Sequence, residues 1–245
     1  MHELKHPSHT SADAGRGDLW RSPLVRGGVH GSHGAVASTV VPIRSLGEGH
    51  RERIANHLLA LDERDRYLRF GYNAADRHIR DYVDGLNFER DDIFGIYNRK
   101  LELIAMAHLA YSVNPQFKSC AEFGVSVRPQ ARGRGYGGRL FERAVMHASN
   151  EGVDLLFVHA LSENTAMLKI ARKAGAVVER DGAETEAFLR LPEATLDSRM
   201  TEMVAEQLGQ TDYQLKTHAK SFWDLLEALQ NVRQGVREGR HKSAM

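Results

Sequence analysis

The chain has 245 residues, 42% of them hydrophobic, with Lys+Arg 33 against Asp+Glu 32 and a formal net charge of +1. That balance gives no bulk electrostatic reason to bind nucleic acid or an anionic membrane surface, and no apolar run reaches the length of a membrane span. One cysteine, Cys120, excludes an intramolecular disulfide and fits a reducing compartment; with no signal-peptide core at its N-terminus, the protein is expected to be cytoplasmic.

Residues 1–38 are rich in Gly, Ser and His, lack sustained periodicity, and read as a disordered tail. Their histidines, His2, His6, His9, His30 and His33, are scattered rather than regularly spaced, so no metal site is expected. Order is expected from Thr39, where residues 39–44 are β-branched and strand-like. Ile54, Leu58 and Leu61 share a helical face, and a second short helix runs through Tyr67, Leu68 and Phe70. A third helix, with Asn73 as its N-cap, is expected to bury Ile79, Tyr82, Val83 and Leu86. Residues 92–97 and 101–111 flank Asn98-Arg99-Lys100 and read as a hairpin. A strand over 121–127, a glycine-rich loop, a helix over 140–149, a strand over 154–160, a helix over 164–174 and strands near 176–180 and 184–191 follow. Cys120 opens an apolar strand and is read as a small packing residue; His108 and His159 are read as satisfied core histidines.

Beyond Pro192 the pattern is helical. Leu196, Met200, Met203, Val204 and Leu208 share one face, and after Gly209 the residues Leu215, Ala219, Phe222, Leu226, Leu229 and Val236 make a near-heptad stripe broken by Arg233. Such a face must be buried, either on the same domain or against a second copy in a homodimer. The expected organisation is a tail over 1–38, one domain over 39–192, a helical extension over 193–238 and a disordered end over 239–245.

The segment from Val127 to Gly138, Val-Arg-Pro-Gln-Ala-Arg-Gly-Arg-Gly-Tyr-Gly-Gly, carries the chemistry. It joins a strand to a helix, its glycines let bare backbone approach a ligand, and the N–H groups opening the helix attract anions. It lacks the Gly-Lys-Ser/Thr of a P-loop. Gly133, Gly135 and Gly138 satisfy G-x-G-x-x-G, but residues 128–132 separate them from the strand, and no acid ends the next strand to hold a ribose.

Arg132-x-x-Gly135-x-Gly137 after a V-x-V strand resembles motif A of the GNAT acetyltransferase superfamily. Residues 164–175, Asn-Thr-Ala-Met-Leu-Lys-Ile-Ala-Arg-Lys-Ala-Gly, supply its second motif one strand later. More narrowly, Ala121-Glu122-Phe123-Gly124-Val125-Ser126-Val127, Glu163-Asn164-x-x-Met167-Leu168 and Arg66-Tyr67-Leu68-Arg69-Phe70 resemble the GNAT domain of bacterial Pat-type protein lysine acetyltransferases. The resemblance implies an α/β GNAT fold, a mixed, mostly antiparallel sheet flanked by helices, here with a C-terminal helical extension. It implies acetyl-CoA as cosubstrate, with no metal, and an amine acceptor, a protein lysine or a small molecule. Glu122 would be the general base and Asn164 would help hold the cofactor. Backbone N–H groups near Val127, with Val125, would bind the pantetheine and polarise the carbonyl, and the loop with Arg132, Gly133, Arg134, Gly135, Gly137 and Gly138 would hold the pyrophosphate.

Strand alternation supports part of this. It puts Ala121, Phe123, Val125 and Val127 on one face and Glu122, Gly124 and Ser126 on the other, a carboxylate beside two small residues. Ser126 has no His/Asp arrangement near it in sequence, which argues against a nucleophilic role. Ala171 stands where many GNAT enzymes place a tyrosine acid, as it does in the Pat type, so no general acid is named. The acyl-CoA-synthetase-like module often fused to Pat-type domains has no counterpart here. The competing reading is a non-catalytic acyl-CoA sensor or interaction module, which a Glu122 sealed in a salt bridge would favour.

Overall fold

The computed structural model describes residues 40–114, 119–182 and 184–242, with the side chains of the last helix described to Ser221 and at Asp224. The tail over 1–38 with its histidines, and the side chains of Phe222, Leu226, Leu229 and Val236, lie outside the described residues. The elements are β1 (Arg44–Ser45), a 3-10 turn (Glu48–His50), α1 (Arg51–Leu59), α2 (Glu63–Phe70), α3 (Asp76–Asp84), β2 (Asp92–Tyr97), β3 (Leu103–Tyr111) and β4 (Cys120–Val127). After a 3-10 turn (Pro129–Ala131) come α4 (Tyr136–Asn150), β5 (Leu155–Leu161), α5 (Thr165–Lys173), β6 (Val177–Asp181), β7 (Glu184–Arg190) and α6 (Leu196–Lys242).

The strands form one seven-stranded sheet in the order β1-β2-β3-β4-β5-β7-β6. All neighbours are antiparallel except β4 and β5, which run parallel and pair only through Cys120↔Leu155, Ala121↔Leu156 and Glu122↔Phe157. This is the mixed, mostly antiparallel architecture expected. Its two faces hold separate cores. Phe94, Ala107, Leu109, Ala121 and Phe123 pack against Leu140, Phe141 and Ala144 of α4 and Leu168 and Ala171 of α5. Ile93, Tyr97 and Met106 pack against Ile54 and Leu58 of α1 and Ile79 and Val83 of α3. Cys120 is a buried, unpaired packing residue.

Several expectations change. The predicted strand over 39–44 is only the two-residue β1, because α6 crosses at its start: a Cβ on Gly209 would stand 2.2 Å from the Ile43 carbonyl oxygen. Asn73 does not cap α3; the N-cap is Ala75, and the His78 ring accepts its N–H instead at 3.3 Å. The C-terminal helix runs unbroken through Gly209 from Leu196 to Lys242, past the expected end of the extension at 238 and into the end over 239–245 that was expected to be disordered. Nor does α6 dock by its apolar face. Glu202 takes hydrogen bonds from Arg143, His147 and Asn150, Glu206 from Ser45 and Arg143, and Lys216 donates to the Tyr97 carbonyl. Leu196, Met200, Met203, Val204, Leu208 and Leu215 point outward, 49% to 83% exposed. Among the described residues no helix is long and apolar enough to cross a membrane.

His57 pins α1 to the sheet. Its Nδ1 donates to the Leu103 carbonyl of β3 at 2.9 Å, which leaves Nε2 to accept from the Ser126 hydroxyl of β4 at 2.8 Å. Burial, with the nearby Arg128 and Arg69 charges, pushes its pKa down to about 4. An unfolded histidine titrates near 6.5, so between those values the unfolded chain binds more protons and stability falls as pH drops. This one group should remove on the order of 3 kcal/mol from pH 7 to pH 4. Urea unfolding of wild type and His57→Gln across that range should show a shallower acid loss in the variant; equal slopes would refute a buried neutral histidine.

Candidate functional site

The short β4–β5 pairing creates the site. Past Glu122 and Phe157 the two parallel strands part, and residues 123–127 of β4 have no strand on that side. The Arg128 N–H bonds the Ile104 carbonyl at 2.9 Å and the Ser112 N–H bonds the Cys120 carbonyl at 3.0 Å, so the even-numbered positions of β4 face β3. The N–H groups of Val125 and Val127 therefore point into the opening.

Two adjoining cavities fill this opening. The larger, about 930 Å³, lies between α2, the glycine loop and α5, and Val125, Ser126 and Val127 form its floor. Gly133 and Gly135 both have φ of +75°, in the left-handed region, which lets the chain turn sharply into α4. The first bond of that helix is Arg139 N–H to the Gly135 carbonyl at 3.1 Å. Among the described residues the N–H groups of residues 133–138 have no carbonyl acceptor. Arg64, Arg132, Arg134, Arg139, Lys169 and Lys173 line the same cavity against only Asp65 and Glu142. Bare amides at a helix N-terminus within a basic rim are what a pyrophosphate requires, so this chain's residues fit the phosphates of a CoA thioester.

Two expected contacts have other work. Arg132 forms an ion pair with the buried Asp65 of α2, so its guanidinium straps the mouth of the cavity as well as facing the loop. Asn164 lines both cavities, but its Oδ1 caps α5 by accepting from the Met167 N–H at 3.2 Å, and its Nδ2 donates to the Leu68 carbonyl at 3.4 Å. Arg134, Gly137 and Gly138 line the larger cavity.

The smaller cavity, about 280 Å³, holds Glu122, His159 and Glu186. Glu122 is exposed and makes no ion pair among the described residues. His159 is not a core residue: its side chain is 51% exposed, 3.4 Å from Glu186 and stacked on Phe157. The reason is strand alternation: in β5 Leu156, Val158 and Ala160 face the core, while Phe157 and His159 lie on the opposite face, where His159 borders the cavity. His108 does fit the core reading, hydrogen-bonded at both ring nitrogens. The two cavities meet at Leu68, Arg69, Val125, Asn164 and Met167.

Sequence reasoning missed Asp65, Arg69 and His57. Ser126 has a histidine partner after all, but one 69 residues away, so no local spacing could have revealed it. Lys169 and Lys173 were findable, since a spacing of four puts both on one side of α5.

Among proteins of curated function, none matches the chain in sequence. Solved structures share its fold. The GNAT domain of S. lividans PAT aligns with a TM-score of 0.52 at 18% identity, over 61% of this chain and 89% of that one. A putative acetyltransferase from Acinetobacter baylyi ADP1 aligns with a TM-score of 0.52 at 16% identity, over 64% and 97%. A ribosomal-protein-alanine N-acetyltransferase from Brucella melitensis aligns with a TM-score of 0.50 at 16% identity, over 61% and 99%. Residues 41–177, more than half of the chain, match the family described as the acetyltransferase (GNAT) domain. With the parted strands, the amide cradle and that match in hand, the chain belongs to the GNAT acetyltransferase family.

Proposed function

We propose that the protein transfers an acyl group, acetyl in the first instance, from acyl-CoA to an amine by direct attack, with Glu122 as general base. The observation that carries this reading is the meeting of the two cavities beside β4. One offers free amides and basic side chains to phosphates; the other offers an open carboxylate to an amine. The glycine loop would hold the pyrophosphate, and the Val125 and Val127 amides would bind the pantetheine arm and the carbonyl. Glu122 would take the amine proton as nitrogen bonds to the carbonyl carbon and sulfur leaves. An unpaired Glu122 on an open cavity argues against a sensor with no working base. A protein lysine is the favoured acceptor, on the Pat-like motifs of β4 and α5. The protein is read as cytoplasmic, with a domain over 39–192 followed by a helical extension.

Gly138→Asp tests the cofactor site cleanly, because a Cβ there meets nothing within 4 Å. A carboxylate in the first turn of α4 should leave stability intact and cost about 2–4 kcal/mol of CoA affinity by charge repulsion and by competing with phosphate for the free amides. Calorimetry showing wild-type affinity would overturn the assignment. Glu122→Gln keeps the shape but cannot accept a proton. With an acceptor found by screening amines and lysine peptides in a thiol-release assay, turnover should fall roughly 10²–10⁴-fold at unchanged acetyl-CoA affinity; undiminished turnover removes Glu122 from the chemistry.

We also propose that α6 pairs with α6 of a second copy. Its outward row of six large apolar side chains amounts to several hundred Å², approaching the roughly 800 Å² that each partner contributes to a stable interface. Light scattering should give a dimeric wild type and a monomeric, CoA-binding Met203→Glu. A monomeric wild type refutes the pairing.

A further inference from the structure

Arg69 of α2 brings a positive charge to the seam between the two cavities, and among the described residues no carboxylate lies within ion-pair reach of it. Its guanidinium lies flat on β4 at Gly124, where a Cβ would stand 2.8 Å from Cζ and Nη2. Gly124 lies between Glu122 and Ser126 on one face of the strand. Arg69 therefore sits in the gap between the carboxylate and the His57-bound hydroxyl, beside the backbone of Val125.

The guanidinium is held there by a relay that runs away from the cavities. Arg69 Nη2 donates to the Tyr82 oxygen at 2.9 Å. The Tyr82 hydroxyl donates to His108 Nδ1 at 2.7 Å, and His108 Nε2 donates to Asp91 at 3.3 Å. Asp91 is 4% exposed and is gripped by both arms of the Arg90 guanidinium at 2.6 Å. Burial opposes its ionisation, but the hydrogen bonds from Arg90 and His108 hold its carboxyl below the usual range. Burial, and then the Arg69 charge, keep His108 neutral. Each donor in the chain thus has one acceptor, and the relay fixes Arg69 through a single N–H. The guanidinium's other donors are not committed among the described residues.

We propose that Arg69 is a further catalytic residue, whose guanidinium stabilises the negative charge that builds on the thioester oxygen during attack. This rests on the acyltransferase reading above. The amine nitrogen bonds to the carbonyl carbon and the carbonyl electron pair moves onto oxygen, beside the guanidinium. The pair then returns, the carbon–sulfur bond breaks and sulfur leaves as thiolate; the nitrogen proton passes to Glu122, which releases it to solvent as the thiolate takes one proton up from solvent. A donor fixed before the reaction costs no reorganisation when that charge appears, and a planar guanidinium can offer it two N–H groups.

The test compares wild type, Arg69→Gln, Arg69→Lys and Gly124→Ala in the full chain, with acetyl-CoA and an acceptor from the amine screen. Arg69→Gln should lower kcat roughly 10²–10³-fold, with acceptor KM and CoA affinity within about threefold of wild type, and Arg69→Lys should recover part of the loss. Gly124→Ala leaves Arg69 in the chain but pushes its guanidinium off the strand, and should also lower kcat, about tenfold or more, so the outcome does not hang on one variant's folding. Wild-type kcat in Arg69→Gln overturns the proposal, as does a loss confined to acceptor KM, which would mark Arg69 as an anchor for an acidic group on the acceptor. A wild type that turns over no amine sinks the acyltransferase reading itself; an active wild type with an equally active Arg69→Gln sinks this one alone.

Discussion

Where β4 and β5 stop pairing decides the rest of the site. Three residues of parallel pairing hold the strands together from Cys120 to Glu122, and then the backbones diverge. A strand that loses its neighbour keeps its N–H groups but loses their acceptors, and exposed amides must be met by water or ligand. The two valine amides inside the cleft follow from that. The helices then follow in order. α4 begins on the glycine turn that closes β4, and α5 begins one strand later, so both helix starts flank one gap. Extending the pairing as far as Val127 would give those amides to β5 and close the gap.

Charge is divided along the same gap. The charged side chains lining the larger cavity are mainly basic, and the smaller holds two glutamates and one histidine. That division would draw an anionic ligand to one half and a cationic one to the other, with Arg69 at the border. Arg132 and Asp65 add a tie between the glycine loop and α2 that a phosphate at the loop would compete for. Because that pair is partly exposed, its contribution to stability is small, and exchanging it for a phosphate costs little.

The parts legible in the sequence are those written in consecutive residues. Turn chemistry and a strand of alternating residues announced the glycine loop, and the β4 alternation put Glu122 beside Gly124 and Ser126. The reasons for those small residues were not legible. Gly124 is small because Arg69 arrives from α2, and Ser126 meets a histidine from α1; both neighbours are fixed by tertiary packing, which leaves no local period. Which face of α6 turns inward was left open by the sequence for a related cause. Apolar periodicity marks which residues share a face, but not which face the domain takes. Here Glu202 gathers Arg143, His147 and Asn150 and turns the polar side inward.

The clasp between β1 and α6 has a consequence for biosynthesis. Ser45 donates to Glu206 at 2.7 Å across a separation of 161 residues, and Gly209 rests on the Ile43 carbonyl. A chain emerging from the ribosome at roughly 5–20 residues per second therefore carries an uncovered sheet edge for on the order of ten seconds or more before its cover exists. During that interval β1 and β2 are held only by the rest of the nascent sheet and by α1 and α3. The short β1, two residues long, offers a passing strand few backbone groups to pair with, which limits misassembly while the nascent chain waits for its last helix.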